Sequence, residues 1–247
     1  MNTAGGDGFF AGLLGYEIVL LAMGVLLFLV GLWVVIQAAK KSSAVMGSLG
    51  VVCVVLSMLF VGYPSLTSFS VKNDFLELQA QFGNGETPSL SKEQQQVTAA
   101  KIEALAPRAD TPQQKAIIAN AYRGIGDVDK AFAIAEKVDT PGAPTAVQRA
   151  LVPVFAAKLK QAVQDVPATP NVTVDAAKAA QIGTLVKKLD QSAVQLPAQT
   201  RVTIAQGYAV LGNDAKAIAN IDKAQAIQRD VKIDAHLLQR LNRAPSG

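Results

Sequence analysis

Two uncharged runs joined by a short link constrain this chain more than any other feature. Residues 18–36, IVLLAMGVLLFLVGLWVVI, and residues 44–63, AVMGSLGVVCVVLSMLFVGY, contain no charged side chain. At 1.5 Å per residue the first spans roughly 28 Å as a helix, close to a bilayer hydrocarbon core of about 30 Å. The link, residues 37–43 (QAAKKSS), is short enough to force antiparallel neighbours. The sequence therefore predicts an N-terminal transmembrane helical hairpin over residues 16–64, with spans at about 18–36 and 44–63, preceded by a tail over 1–15. Pro64 is expected to end the second helix, because proline cannot continue the hydrogen-bond ladder. A cleaved signal peptide fits less well: no Lys or Arg precedes Lys40, and a second span follows.

Positive charge beside the spans sets the expected orientation. Lys40 and Lys41 lie in the link, the N-terminal tail has no basic residue, and the first one after the second span is Lys72. The positive-inside rule then puts the link in the cytoplasm and both ends of the chain outside it. In a bacterial inner membrane that is a multi-pass protein with a periplasmic soluble domain. Small residues stripe both spans: Gly24 and Gly31 in the first, Gly47, Gly50 and Ser57 in the second. Such stripes let helices approach closely in lipid. They serve either the packing of the hairpin on itself or docking onto a partner's helices.

Beyond Pro64 the chain reads as a soluble helical protein. Residues 65–90 are expected to form a juxtamembrane connector, with Phe75, Leu78 and Phe82 on one face of a short amphipathic helix. A helical domain over 91–247 should follow. Ser91 with Gln94 has the pattern of a capping box. Thr111-Pro112-Gln113-Gln114 combines an N-cap, a proline at the first helical position and a glutamine at the third. Helices are expected through AIIANAY and DVDKAFAIAEKV, and again from Pro197 through IAQGYAVLG and NDAKAIANIDKAQAI. Longer helices around Pro153 and over 174–196 should lie between the two pairs, and Val231–Leu241 should close the stack. No strand alternation of useful length occurs, so the fold class is all-α.

The two helix pairs align without gaps. Ile118, Ala119, Tyr122, Gly126 and Ala131 match Ile204, Ala205, Tyr208, Gly212 and Ala217, always 86 residues apart. In these residues the chain resembles the tetratricopeptide-repeat (TPR) family: a small residue and a Tyr late in the first helix, a turn glycine, an early Ala in the second. The resemblance implies close helix crossings with the tyrosines and alanines buried. It also implies a groove lined by first helices, in which Asn120, Arg123 and Gln206 would meet a partner protein.

Chemistry is sparse. One histidine (His236) and one cysteine (Cys53) cannot build a usual zinc site. Asp127 and Asp129 begin a helix, where negative charge suits the dipole, and are not spaced as an acid–base pair. The Gly124–Gly126 segment follows a helix and reads as a turn, not a phosphate loop. Asn171-Val172-Thr173 matches a glycosylation sequon but also suits a loop. The net charge of +4, all from the part beyond Pro64, is too small and scattered for nucleic acid. The expectation is thus no catalytic residue, no metal, no cofactor, no small-molecule substrate and no nucleic acid. The partners are the lipid bilayer and other membrane-complex subunits or periplasmic proteins. The function expected is that of a non-catalytic scaffold or accessory subunit of an inner-membrane complex. The alternative is an assembly or maturation factor, similar in layout to bacterial cytochrome c maturation proteins with tetratricopeptide repeats.

Overall fold

The computed structural model is all-α among the residues it describes. It describes residues 15–41, 44–83, 88–140, 142–164 and 174–241. Ten α-helices run in order among them: α1 Gly15–Lys41, α2 Ala44–Phe82, α3 Lys92–Leu105, α4 Pro112–Gly124, α5 Val128–Val138, α6 Thr145–Gln164, α7 Ala176–Asp190, α8 Ala198–Val210, α9 Asp214–Ile227 and α10 Ala235–Arg240. The chain divides into two compact units, Met1–Leu78 with Ala100–Asp110, and Gln79–Ala99 with Thr111–Gly247.

In the first unit α2 corrects one expectation. It does not stop at Pro64 but continues without a break to Phe82, 39 residues in all, roughly 58 Å at 1.5 Å per residue. Proline removes one backbone donor and crowds the preceding turn, yet residues 71–82 give the helix a reason to persist. Val71, Phe75 and Leu78 are spaced four and three apart and are all buried. Ile102 and Leu105 of α3 are buried too, and Lys101 bonds Asp74 at 2.8 Å and Glu77 at 2.6 Å. Burial works against the charge of Lys101, but those two carboxylates outweigh it and raise its pKa. The connector expected over 65–90 is therefore helical through most of its length.

In the second unit the start signals behave as physical chemistry requires. The Ser91 amide donates to Gln94 Oε1 at 2.9 Å, and the Gln94 amide returns a bond to Ser91 Oγ. Thr111 and Gln114 do the same at α4. Each reciprocal pair satisfies two orphan donors of a helix N-terminus. At α10 the start moves inward from Val231 because Asp234 caps it, accepting from the His236 amide at 2.8 Å.

The two matched pairs, α4–α5 and α8–α9, turn in the same way. Gly126 and Gly212 have φ of 91° and 75°, a conformation that suits glycine. The next amide in each, Asp127 and Asn213, donates to the Tyr122 and Tyr208 carbonyls at 2.9 Å, while the glycine amides reach Arg123 and Ala209. These paired bonds form a Schellman motif and leave the following residue free to start a new helix. Asp127 and Asn213 do so, accepting from the Lys130 and Lys216 amides. Lys130 and Lys216 then lie 5.3 and 5.2 Å from the Tyr122 and Tyr208 ring centroids. The likeness extends further: Val147, Leu151, Val152 and Phe155 of α6 return 86 residues later as Ile233, Leu237, Leu238 and Leu241. Ile233 packs on the cluster formed by Ala198, Val202, Ala224 and Val231, and the three leucines are buried.

Tyr122 and Tyr208 are 6% and 8% exposed, and Ala131 and Ala217 are fully buried, as expected for tight crossings. Replacing Ala131 with Leu is expected to over-pack the α4–α5 crossing and cost about 1–3 kcal/mol. Thermal unfolding of the full chain followed by circular dichroism checks this; an unchanged midpoint would contradict the packing.

Candidate functional surfaces

Among the described residues, the candidate functional features are surfaces and the side chains that hold them. The first surface is the outside of α1 and the early part of α2. Among the described residues, one stretch is long and apolar enough by composition to cross a membrane, Leu21–Lys40, and Gly50–Leu59 is a shorter apolar stretch. Among the described residues, every exposed large apolar side chain apart from Leu76, Val97 and Ile227 lies between Val19 and Leu59. Met23, Leu26, Leu29 and Trp33 of α1 and Val55, Met58 and Leu59 of α2 are more than half exposed. A water-facing surface of this kind would be an extensive apolar patch of the sort that marks a membrane or protein contact.

The small-residue stripes lie on the inner side. Gly24, Gly31 and Ala38 of α1 and Gly50 and Ser57 of α2 are buried. A Cβ on Gly31 would sit 2.9 Å from Cys53 Cβ and 3.2 Å from the Gly50 carbonyl oxygen; one on Gly50 would meet Val35 Cγ2 at 2.6 Å. As the α1 number rises from 31 to 35, the partner number on α2 falls, so the helices cross antiparallel. Ser57 returns its hydroxyl to the Val54 carbonyl of its own helix at 2.6 Å. Gly31 and Gly50 thus lie in the seam between α1 and α2. Glu17, Gly47 and Tyr63 lie on these helices, but their surroundings fall outside the described residues, as do the N-terminal tail and the sequon at 171–173.

The second surface was expected along α4 and α8, and here the structure requires a correction. Asn120 is 2% exposed and Arg123 is 8% exposed, so neither lines an open groove. α6 packs against α4, α5, α7 and α8 and fills the space. Asn120 Nδ2 donates to the Ala116 carbonyl at 3.1 Å and to the Ala150 carbonyl of α6 at 2.7 Å, and its Oδ1 accepts from Arg123 Nε at 3.4 Å. Pro153 leaves the Arg149 carbonyl without an intrahelical donor, and Asn120 reaches the next carbonyl along the same helix. Burial pushes the Arg123 guanidinium below its ordinary pKa. Of the three expected groove residues only Gln206, the counterpart of Asn120, stays partly exposed. Sequence matching put these residues on a groove because it could not see that α6 would occupy it.

A third feature was missed in the sequence. Asp190 of α7, Arg201 and Tyr208 of α8 and Asn220 of α9 form one polar cluster. Arg201 Nη1 donates to Asp190 Oδ1 at 3.0 Å and to Asn220 Oδ1 at 3.2 Å, and the Tyr208 hydroxyl donates to Asp190 Oδ2 at 2.9 Å. Arg201 Nε is the buried side-chain atom without a hydrogen-bond partner among the described residues. The cluster ties α7, α8 and α9, with the Arg201 and Asp190 side chains 17% and 21% exposed. A comparable tie joins α5, α6 and α7. Lys158 bonds Asp129 at 2.6 Å, Lys188 bonds Asp139 at 2.6 Å and lies 4.3 Å from the Phe155 ring, and Phe132 meets Phe155 edge-on. His236 is exposed at the start of α10, and no group of His, Cys, Asp and Glu among the described residues could hold a metal.

Comparison with protein-family models, with curated proteins and with solved structures finds no match to this chain.

Two outcomes follow from this geometry. Gly31→Cys creates the chain's only possible partner for Cys53. Disulfide Cβ atoms sit about 3.8 Å apart, so a slight widening of the seam lets the pair form. Oxidation should then protect both thiols from alkylation, read by intact mass, whereas a cysteine at Leu29, which is 59% exposed, should stay reactive. Separately, the Tyr208 hydroxyl pKa is pushed up to about 12, by burial first and then by the Asp190 carboxylate that accepts its hydrogen bond. A pKa raised on folding favours the protonated form in the native state. The stability this supplies is present below about pH 10, the unfolded value, and is lost as pH rises toward about 12. Tyr208→Phe should flatten that loss and remove a component near pH 12 from the tyrosinate absorbance titration.

Proposed function

We propose that this protein is a non-catalytic, membrane-anchored scaffold or accessory subunit, holding a helical-repeat domain beside a partner complex. The observation that carries the reading is the apolar belt of α1 and early α2, which leaves large side chains exposed on both helices while the small residues face inward. Water would oppose such a surface at roughly 25 cal/mol per Å². Hydrocarbon accommodates it. On this reading α1 and the first part of α2 are two spans of a bacterial inner membrane, with Lys40 and Lys41 at the cytoplasmic link and the helical domain in the periplasm. The repeated α4–α5 and α8–α9 pairs, turned on Gly126 and Gly212, support a tetratricopeptide-like mode of building.

Two measurements test this. A phosphatase reporter that works only outside the cytoplasm, fused behind the helical domain, is expected to be active; activity confined to a cytoplasmic reporter would reverse the orientation. In mild detergent the protein is expected to run as a heteromeric assembly, with the same partner recovered by crosslinking in cells. A monodisperse monomer with no crosslinked partner would reject the scaffold reading. Recovery in stoichiometric amount separates a resident subunit from a transient assembly factor.

A further inference from the structure

Trp33 is the only tryptophan in the chain, and it is 61% exposed. It continues a stripe with Leu26 and Leu29, which are 65% and 59% exposed. This stripe lies two residues on from the seam positions Gly24 and Gly31, about 200° around the helix, and so faces away from α2. On α2 the outward positions Val52, Val55 and Leu59 stand in the same relation to Gly50 and Ser57. The buried small residues described on the two helices are therefore turned inward, and the outward stripes carry mainly long, branched or aromatic side chains, with the exposed Ala22 and Ser48 at one end of each.

That sorting identifies what covers the outside. Helices associate in hydrocarbon by close backbone approach across Gly, Ala, Ser and Thr, because lipid tails are as apolar as leucine and supply no hydrophobic drive. The Gly31–Gly50 crossing uses those residues within the chain. Large flexible side chains facing outward pack against acyl chains without loss and hold a partner's backbone at a distance. Resting on the membrane reading above, we infer that lipid acyl chains cover the outward faces of α1 and α2. The hairpin is a self-complete anchor that takes no partner helix, and recognition falls to the helical domain.

Trp33 reports on this without any substitution. The full chain is reconstituted in phosphatidylcholine vesicles, with and without bromine on the acyl chains, and insertion is checked by flotation. The same comparison is made on the assembly recovered from cells and transferred to discs of the two lipids. Lipid-facing Trp33 is expected to lose more than half its emission to brominated acyl chains in both preparations. Floating protein whose Trp33 emission is unaffected would overturn the inference and leave the membrane reading standing. Quenching in vesicles that vanishes in the assembly would put a partner helix on the stripe. Quenching that fades as the protein-to-lipid ratio rises would put a second copy there. Either result would also overturn the inference. Protein that does not float would remove the membrane reading and this inference with it.

Discussion

Close approach of helix backbones across small residues is the constraint on which both units depend. At Gly31 and Gly50 the backbones come so near that a single added carbon meets Cys53, Val35 or a carbonyl oxygen. In the helical domain Gly207 leaves room for Val186 and Leu159, Gly124 receives the Phe82 ring, and Ala131 and Ala217 have no exposed surface. The solvent outside the two units differs on the proposed reading, but the interior rule does not: dispersion between dense, interlocked atoms needs short distances. What differs is the exterior. α1 and early α2 turn apolar side chains outward, whereas the outward side chains of α5 and α9 include Asp129, Lys130, Glu136, Lys137, Asp222 and Lys223.

Several polar side chains in the domain act as ties. Asn120 joins α4 to α6, Asp190 joins α7 to α8, and Lys158 and Lys188 join α6 and α7 to the carboxylates at the ends of α5. Such bonds are worth little net when made and cost more when one partner is missing. They therefore fix which helices meet, more than they add stability. The same economy explains why residues that look available in the sequence are not available in the fold.

Much of this architecture was legible beforehand because its signals are local. Ser91 with Gln94 and Thr111 with Gln114 act within one helical turn, and the Gly126 and Gly212 turns need nothing beyond their neighbours. The 86-residue match also placed Tyr122, Tyr208, Ala131 and Ala217 in the interior correctly. The failures are long-range. Pro64 is a strong local stop signal, but the buried face at Val71, Phe75 and Leu78 lies farther along the helix, and the helix continues through the proline. Asn120 and Arg123 look like surface residues by type, and only the packing of α6 across α4 makes them interior. The Asp190–Arg201–Tyr208–Asn220 cluster spans 30 residues of chain, and no spacing rule brings those four together.

α6 has a consequence for how the domain comes apart. It packs on α4 and α5 on one side and on α7 and α8 on the other, so neither glycine-turned pair owns its own core. In an array whose neighbours share an interface, loosening one repeat withdraws support from the next. Here the shared element is a whole helix, with Leu151, Val154 and Leu159 fully buried. Opening either pair would strip that helix of part of its burial and expose the other to solvent. The two copies, though built alike, are coupled into one cooperative folding unit, and slow amide exchange should report a common opening instead of two separate ones.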